Sequence, residues 1–205
     1  TRPLATILDG DALLTAPLSL YLDTSLTTLN GLVSAVQSHN LSPLAFADIR
    51  EGIELSVKYL PQLVERPDDP HPRIHLASAA LLANRASQST YGGGGRGRTT
   101  GMGRQLRYRY EHIGQGAAGC VTALMHLRLN RNADPEGQAQ LARVLGVMGN
   151  GMSDVEAAEA AEHHIVDLFQ RLGAPIRLQD LGVLQEDFEA MAEAEIAEPA
   201  FGEDS

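Results

Sequence analysis

From Leu22 to Leu172 the apolar residues of this chain recur at three- and four-residue steps, and two-residue alternation is nearly absent. Such steps line one face of a helix, whereas a strand needs every second residue. Leu22, Leu26, Leu29, Val33 and Val36 form a first stripe, and Phe46, Ile49, Ile53, Val57 and Leu60 a second. Ile74, Ala77 and Leu81 predict a third helix reaching about Ala86; Val121, Leu124 and Leu127 predict one from Gly119 to about Leu129. Leu141, Val144 and Leu145 follow a helix opened by Pro135, and Val155, Ala158, Ala161, Ile165, Leu168 and Leu172 follow another. A final helix is expected from about Gln185 to Glu198. The fold class expected is therefore all-α, a helical array of about six to eight helices. Aromatic residues make up 4% of the chain and Trp is absent, so Leu, Ala, Val and Ile must build the core.

Local chemistry punctuates this pattern. Ser42 is placed to cap a helix with Pro43 at its first position. Pro61 is expected at that helix's end, and the prolines from Pro67 to Pro72 are read as a turn, since proline disrupts a helix interior. Ser153 and Glu156 have capping-box spacing, and Gly173 with Pro175 stops the helix that follows. Thr6, Ile7 and Leu8 read as a short extended run, with a turn at Gly10 and Asp11. Residues 88–103 hold seven glycines and no periodicity, which predicts a flexible insertion within a single helical domain spanning 1–205.

Formal net charge is -10, and the last twenty-one residues carry eight carboxylates with no Lys or Arg. The segment from Arg85 to Tyr110 is the reverse, with six arginines and no carboxylate. The overall sign disfavours nucleic acid as a partner but leaves room for a local anion site. No apolar run is long enough for a membrane span, and Thr1-Arg2-Pro3 leads into no signal-peptide core. The missing initial Met is read as the sign of a processed or trimmed chain. The single Cys120 excludes an internal disulfide and fits a cytoplasmic location; it is expected to be an inert core residue. His71 and His75 are four apart, but the prolines around them are expected to break the helical register. His163 and His164 are adjacent and diverge by about 100° on a helix. Neither pair is expected to share an ion.

Several segments resemble one family. ILDGDALLTAP, DTSLTTLNGLVSAVQSHNLSPLAFA, GAAGCVTALMHLRLNRN and LGAPIRLQDLGVLQEDFEAMAEA together resemble the C-terminal helical domain of the iron-containing (group III) alcohol dehydrogenases, to which maleylacetate reductases and glycerol dehydrogenases are related. The resemblance implies an Asp and a His four apart on one helix, a third ligand His, another His four residues later, and a last ligand His in a Pro-His-Gly segment. Carried over residue by residue, these positions fall on Thr27, Gly31, Arg104, Tyr108 and Ala118. No metal and no cofactor is therefore expected at the family site. The resemblance also implies a separate Rossmann-like nucleotide domain. Gly92 to Arg98 is no substitute for it, because a dinucleotide turn needs a strand before it and a helix after it.

A cleft stripped of its ligands still has walls. Thr27, Asn30, Arg107 and Ala118 are the candidate substrate-binding residues, with Gly31 in the floor. Arg104, Tyr108 and Glu111 would share one helical face, and Tyr108 and His112 are four apart. Arg104 suits an anion or a developing oxyanion, and Tyr108, His112 and Glu111 suit proton transfer. The expected function is a metal-free, redox-free enzyme for cyclisation, isomerisation or elimination of an anionic or polyketide-like small molecule. The alternatives are a non-catalytic or complementing subunit, as a homodimer or with a different partner chain, or a fragment of an NAD(P)-dependent alcohol dehydrogenase.

Overall fold

A computed structural model of the protein describes residues 5–89 and 100–197. Nine α-helices occur among them: α1 Gly10–Leu14, α2 Leu18–Ala35, α3 Pro43–Glu65, α4 Pro70–Ser89, α5 Thr100–Arg109, α6 Gln115–Asn130, α7 Pro135–Val144, α8 Asp154–Arg171 and α9 Phe188–Ala197. Two 3-10 turns, Leu178–Leu181 and Gln185–Asp187, join α8 to α9. No strand occurs among the described residues, so Thr6 to Leu8 is extended chain only. Most of the glycine-rich insertion, 90–99, lies outside the described residues; its expected edges, 88–89 and 100–103, are helical.

The caps explain where most helices begin. The Ser42 side chain accepts the Ala45 amide at the head of α3, and Asp134 accepts the Gly137 amide at the head of α7. Ser153 and Glu156 form both halves of a capping box on α8, which ends at Gly173 with φ +65°. Two expectations fail at prolines. Helix α4 starts at Pro70, because the first-turn amides of a helix have no internal acceptor and Pro70 and Pro72 give up nothing there. The Asp69 carboxylate caps it by accepting the His71 amide at 2.9 Å. Pro61 lies inside α3, which runs one turn further to Glu65. Gly10 opens α1 instead of a turn, since the Asp9 carboxylate accepts the Asp11 and Ala12 amides.

Helices α3 and α4 form the most extensive pair, α2 packs between α3 and α6, and α7 lies on α8. Leu29, Leu32, Ile49, Ile53, Leu60, Leu124, Leu141, Ile165 and Phe169 fill the main core. The α4 stripe is displaced from its expected register: Leu76 and Ala79 are buried, while Leu81 is exposed, as is Val155 on α8. A second, smaller core joins Leu106 of α5, Ile113, Ala118 and Val121 of α6, Leu181, Val183 and Met191. This satellite core fixes α5 and the 3-10 turns against α6.

Two buried charges are held by side-chain contacts between elements. Arg73 is 3% exposed and donates to the carbonyls of Leu13, Ala16 and Pro67. It thereby satisfies acceptors left at the end of α1 and ties the N-terminal segment to α4. Burial pushes the Glu162 carboxyl of α8 up, but hydrogen bonds from Arg128 at 2.7 Å and from Arg131, together with their charges, hold it below the usual range. No described helix is long and apolar enough to cross a membrane.

Candidate functional site

The positions carried over for metal ligands lie on α2, α5 and α6, and α2 meets α6 through glycines. A Cβ on Gly116 would stand 2.1 Å from the Asp23 backbone oxygen. One on Gly119 would stand 2.6 Å from the Asn30 amide nitrogen, and one on Gly114 would stand 2.5 Å from the Asp23 carboxylate. The segment Gly114-Gln115-Gly116-Ala117-Ala118-Gly119 thus has glycine at three points where α2 approaches too closely for a Cβ.

Asp23 closes this crossing. Helix α6 has Gly114 at its N-cap, with no side chain to accept the first amides. The Asp23 carboxylate takes that role from α2, accepting the Gly116 amide at 3.1 Å and the Ala117 amide at 3.0 Å. An anion is favoured there by the amides and by the helix dipole. The G-x-G-x-x-G spacing was the legible signal for a helix start that receives an anion. The anion is the chain's own carboxylate, and no strand precedes the motif among the described residues. Asp23→Asn leaves one oxygen for two amides and removes the charge. It is expected to lower stability by about 1–2 kcal/mol in urea unfolding; an unchanged midpoint would contradict the capping role.

Two of the expected floor residues, Thr27 and Asn30, are engaged in this contact. The Thr27 hydroxyl donates to the Asp23 carbonyl at 3.0 Å. Asn30 is buried, and its amide donates to the Gly116 carbonyl at 3.2 Å and lies 3.6 Å from the Cys120 sulfur. Ala118 is 1% exposed in the satellite core, and Gly31 faces open space. Burial pushes the Cys120 thiol up to about 12, so it is no nucleophile at neutral pH, in line with the inert role expected for it.

The expected wall is corrected more strongly. Helix α5 ends at Arg109, so Glu111 and His112 lie in a turn and share no helical face with Arg104 and Tyr108. The cause is the tertiary pull on Tyr110. Its hydroxyl donates to the Asp187 carboxylate and accepts the Leu184 amide at 3.1 Å, drawing the chain toward the 3-10 turns. The His112 ring nitrogen lies 3.1 Å from the Leu181 carbonyl, away from Tyr108. Tyr108 itself is 75% exposed, Arg107 is exposed, and Arg104 is half-buried. The bond to Asp187 raises the Tyr110 phenol above its ordinary range. Tyr110, absent from the sequence-derived candidates, is therefore the residue that organises this wall.

The residues that the resemblance carries onto the ligand positions do not make a donor set for an iron or zinc ion. Gly31 and Ala118 carry no donor, Arg104 is a permanent cation, and the Thr27 hydroxyl is directed to a backbone carbonyl. Among the described residues no three His, Cys, Asp or Glu side chains group closely enough to hold one ion. No described βαβ unit provides a dinucleotide site.

The profile of the Fe-containing alcohol dehydrogenase family, C-terminal part, matches residues 29–202. The 1,3-propanediol dehydrogenase of Citrobacter freundii is 32% identical over 191 residues, covering 93% of this chain and 48% of that protein. The NAD-dependent methanol dehydrogenase of Bacillus methanolicus is 26% identical over 192 residues, covering 93% of this chain and 49% of that protein. A crystal structure of 1,3-propanediol oxidoreductase superposes with a TM-score of 0.81 at 30% identity, covering 93% of this chain and 48% of its own. Maleylacetate reductase from Rhizobium sp. strain MTP-10005 shares the fold, with a TM-score of 0.76 at 23% identity. The chain thus spans about half the length of the curated relatives it matches. With its all-helical array, its matched profile and its likeness to these dehydrogenases, the chain belongs to the Fe-containing alcohol dehydrogenase family, within that family's C-terminal helical part.

Proposed function

We propose that this chain is the helical half of a dehydrogenase-type protein, working with a nucleotide-binding half and holding no ion at the family's metal position. What supports this reading is a retained fold together with the residues that the family resemblance carries onto the four ligand positions, Thr27, Gly31, Arg104 and Ala118. Hydride chemistry belongs to a bound nicotinamide, and the relative from Bacillus methanolicus is described as NAD-dependent. The helical half then contributes the α2–α6 wall and a half-buried Arg104 beside it, but no Lewis acid to polarise an alcohol oxygen.

The redox-free reading, with Arg104, Tyr108, Glu111 and His112 as catalytic residues, has less support. The end of α5 at Arg109 separates His112 from Tyr108, and Tyr108 faces solvent.

The test is a fusion of this chain to the nucleotide-binding half of the Citrobacter freundii enzyme, assayed with NAD+ and 1,3-propanediol with and without Fe2+. The fusion bearing Thr27, Gly31, Arg104 and Ala118 is expected to show no turnover above blank. The same fusion carrying Thr27→Asp, Gly31→His, Arg104→His and Ala118→His together is expected to be active. Chelator-sensitive turnover by the unsubstituted fusion would overturn the proposal.

A further inference from the structure

The first turns of α4 carry a feature unrelated to the dehydrogenase positions. Because α4 begins at Pro70, His71 and His75 lie one helical turn apart on the same face. Their Nε2 atoms are 3.2 Å apart. The Tyr59 ring, 6% exposed on α3, stacks on His75 at 4.0 Å with an interplanar angle of 3°. It also meets His71 edge-on at 5.5 Å. A buried aromatic platform thus orients both imidazoles before any ligand arrives.

The spacing is compatible with a shared ion. Imidazole nitrogens bind zinc at about 2.0–2.1 Å. Two such nitrogens 3.2 Å apart subtend about 100° at a shared ion, between the square-planar and tetrahedral angles. We propose that His71 and His75 form a two-histidine binding site for one divalent transition-metal ion with imidazole preference, such as Ni2+, Cu2+ or Zn2+. The remaining coordination positions go to water or to an exogenous ligand.

Where both rings are neutral, the same 3.2 Å contact is an N–H···N hydrogen bond, one ring carrying its proton on Nε2. Loading the ion moves that proton to the ring's own Nδ1, so both Nε2 lone pairs face the metal and no net proton leaves the neutral pair. Two features oppose a cation. Lys58 stands 5.0 Å from the Tyr59 ring centre, and the site lies near the positive end of the α4 dipole. Both favour metals that bind imidazole strongly, which places Cu2+ and Ni2+ ahead of Zn2+.

The test uses the untagged chain titrated with NiCl2 in a non-coordinating buffer and followed by calorimetry. Binding of one equivalent is expected, weakened on the order of tenfold or more in His71→Gln and in His75→Gln. His39→Gln and His163→Gln are expected to leave it unchanged. Circular dichroism checks the fold of each variant. Copper EPR of the unsubstituted protein supplies a second readout, with splitting from two nitrogens. Absence of saturable binding up to about 1 mM, equal binding by His71→Gln or by His75→Gln, or an EPR signal from a single nitrogen would each overturn the shared site.

Discussion

Gly116→Ala is expected to destabilise the protein by about 3 kcal/mol, lowering Tm by about 10 °C. The new Cβ would stand 2.1 Å from the Asp23 carbonyl oxygen, a backbone atom that no side-chain rotamer can move. The helices must therefore separate by more than an ångström, and the separation removes other contacts as well. The Asp23 carboxylate loses its hold on the Gly116 and Ala117 amides, and the buried Asn30 amide loses the Gly116 carbonyl. Gly31→Ala gives the contrast. Gly31 lies inside α2 with nothing within 4 Å of its missing Cβ, so alanine there adds helix propensity without a clash. It is expected to stabilise by about 0.5–1 kcal/mol. Thermal and urea unfolding of the two variants should move in opposite directions. A neutral Gly116→Ala would mean that α2 and α6 are not in contact at this point.

The second large effect is a gain of metal binding. Thr27→Asp, Gly31→His, Arg104→His and Ala118→His together restore the donors implied by the family resemblance and remove the guanidinium charge. The carboxylate gained by Thr27→Asp and the imidazole gained by Gly31→His would lie four apart on one face of α2. The others lie on α5 and α6, whose mutual placement the satellite core fixes. The backbone superposes on a family crystal structure with a TM-score of 0.81, so the helices that carry these positions are retained. The quadruple variant, carried with His71→Gln and His75→Gln to silence the α4 pair, is expected to bind Zn2+ or Fe2+ with Kd about 1 µM or tighter. The same background without the four substitutions should show no saturable binding in equilibrium dialysis. Ala118 is buried, so part of the binding energy will be offset by repacking around the new imidazole.

The helical class and most boundaries were legible because their causes are local. Ser42 with Pro43, Pro135, Ser153 with Glu156, and Gly173 each act within a few residues of themselves. Proline misled at α4 because its cost depends on position: Pro70 and Pro72 fall where the amides have no helical acceptor. That local misreading also hid the convergence of His71 and His75. The family resemblance carries the ligand positions onto Thr27, Gly31, Arg104 and Ala118, but the Asp23 contact at the same crossing is not legible in the sequence. Asp23 reaches amides more than ninety residues away, and no local pattern ties the two. The expected Tyr108–His112 pairing failed for the same reason. A continuous helix was assumed where Tyr110, held by Asp187 and Leu184, ends α5 early.

The lack of a family-type metal centre turns on the chemistry at Thr27, Gly31, Arg104 and Ala118. Its most direct test is an anomalous-difference map from crystals of the unsubstituted protein grown with Fe2+ or Zn2+. The map is expected to show no peak between α2, α5 and α6, whatever appears at α4. A well-occupied peak coordinated by side chains of those three helices would contradict it.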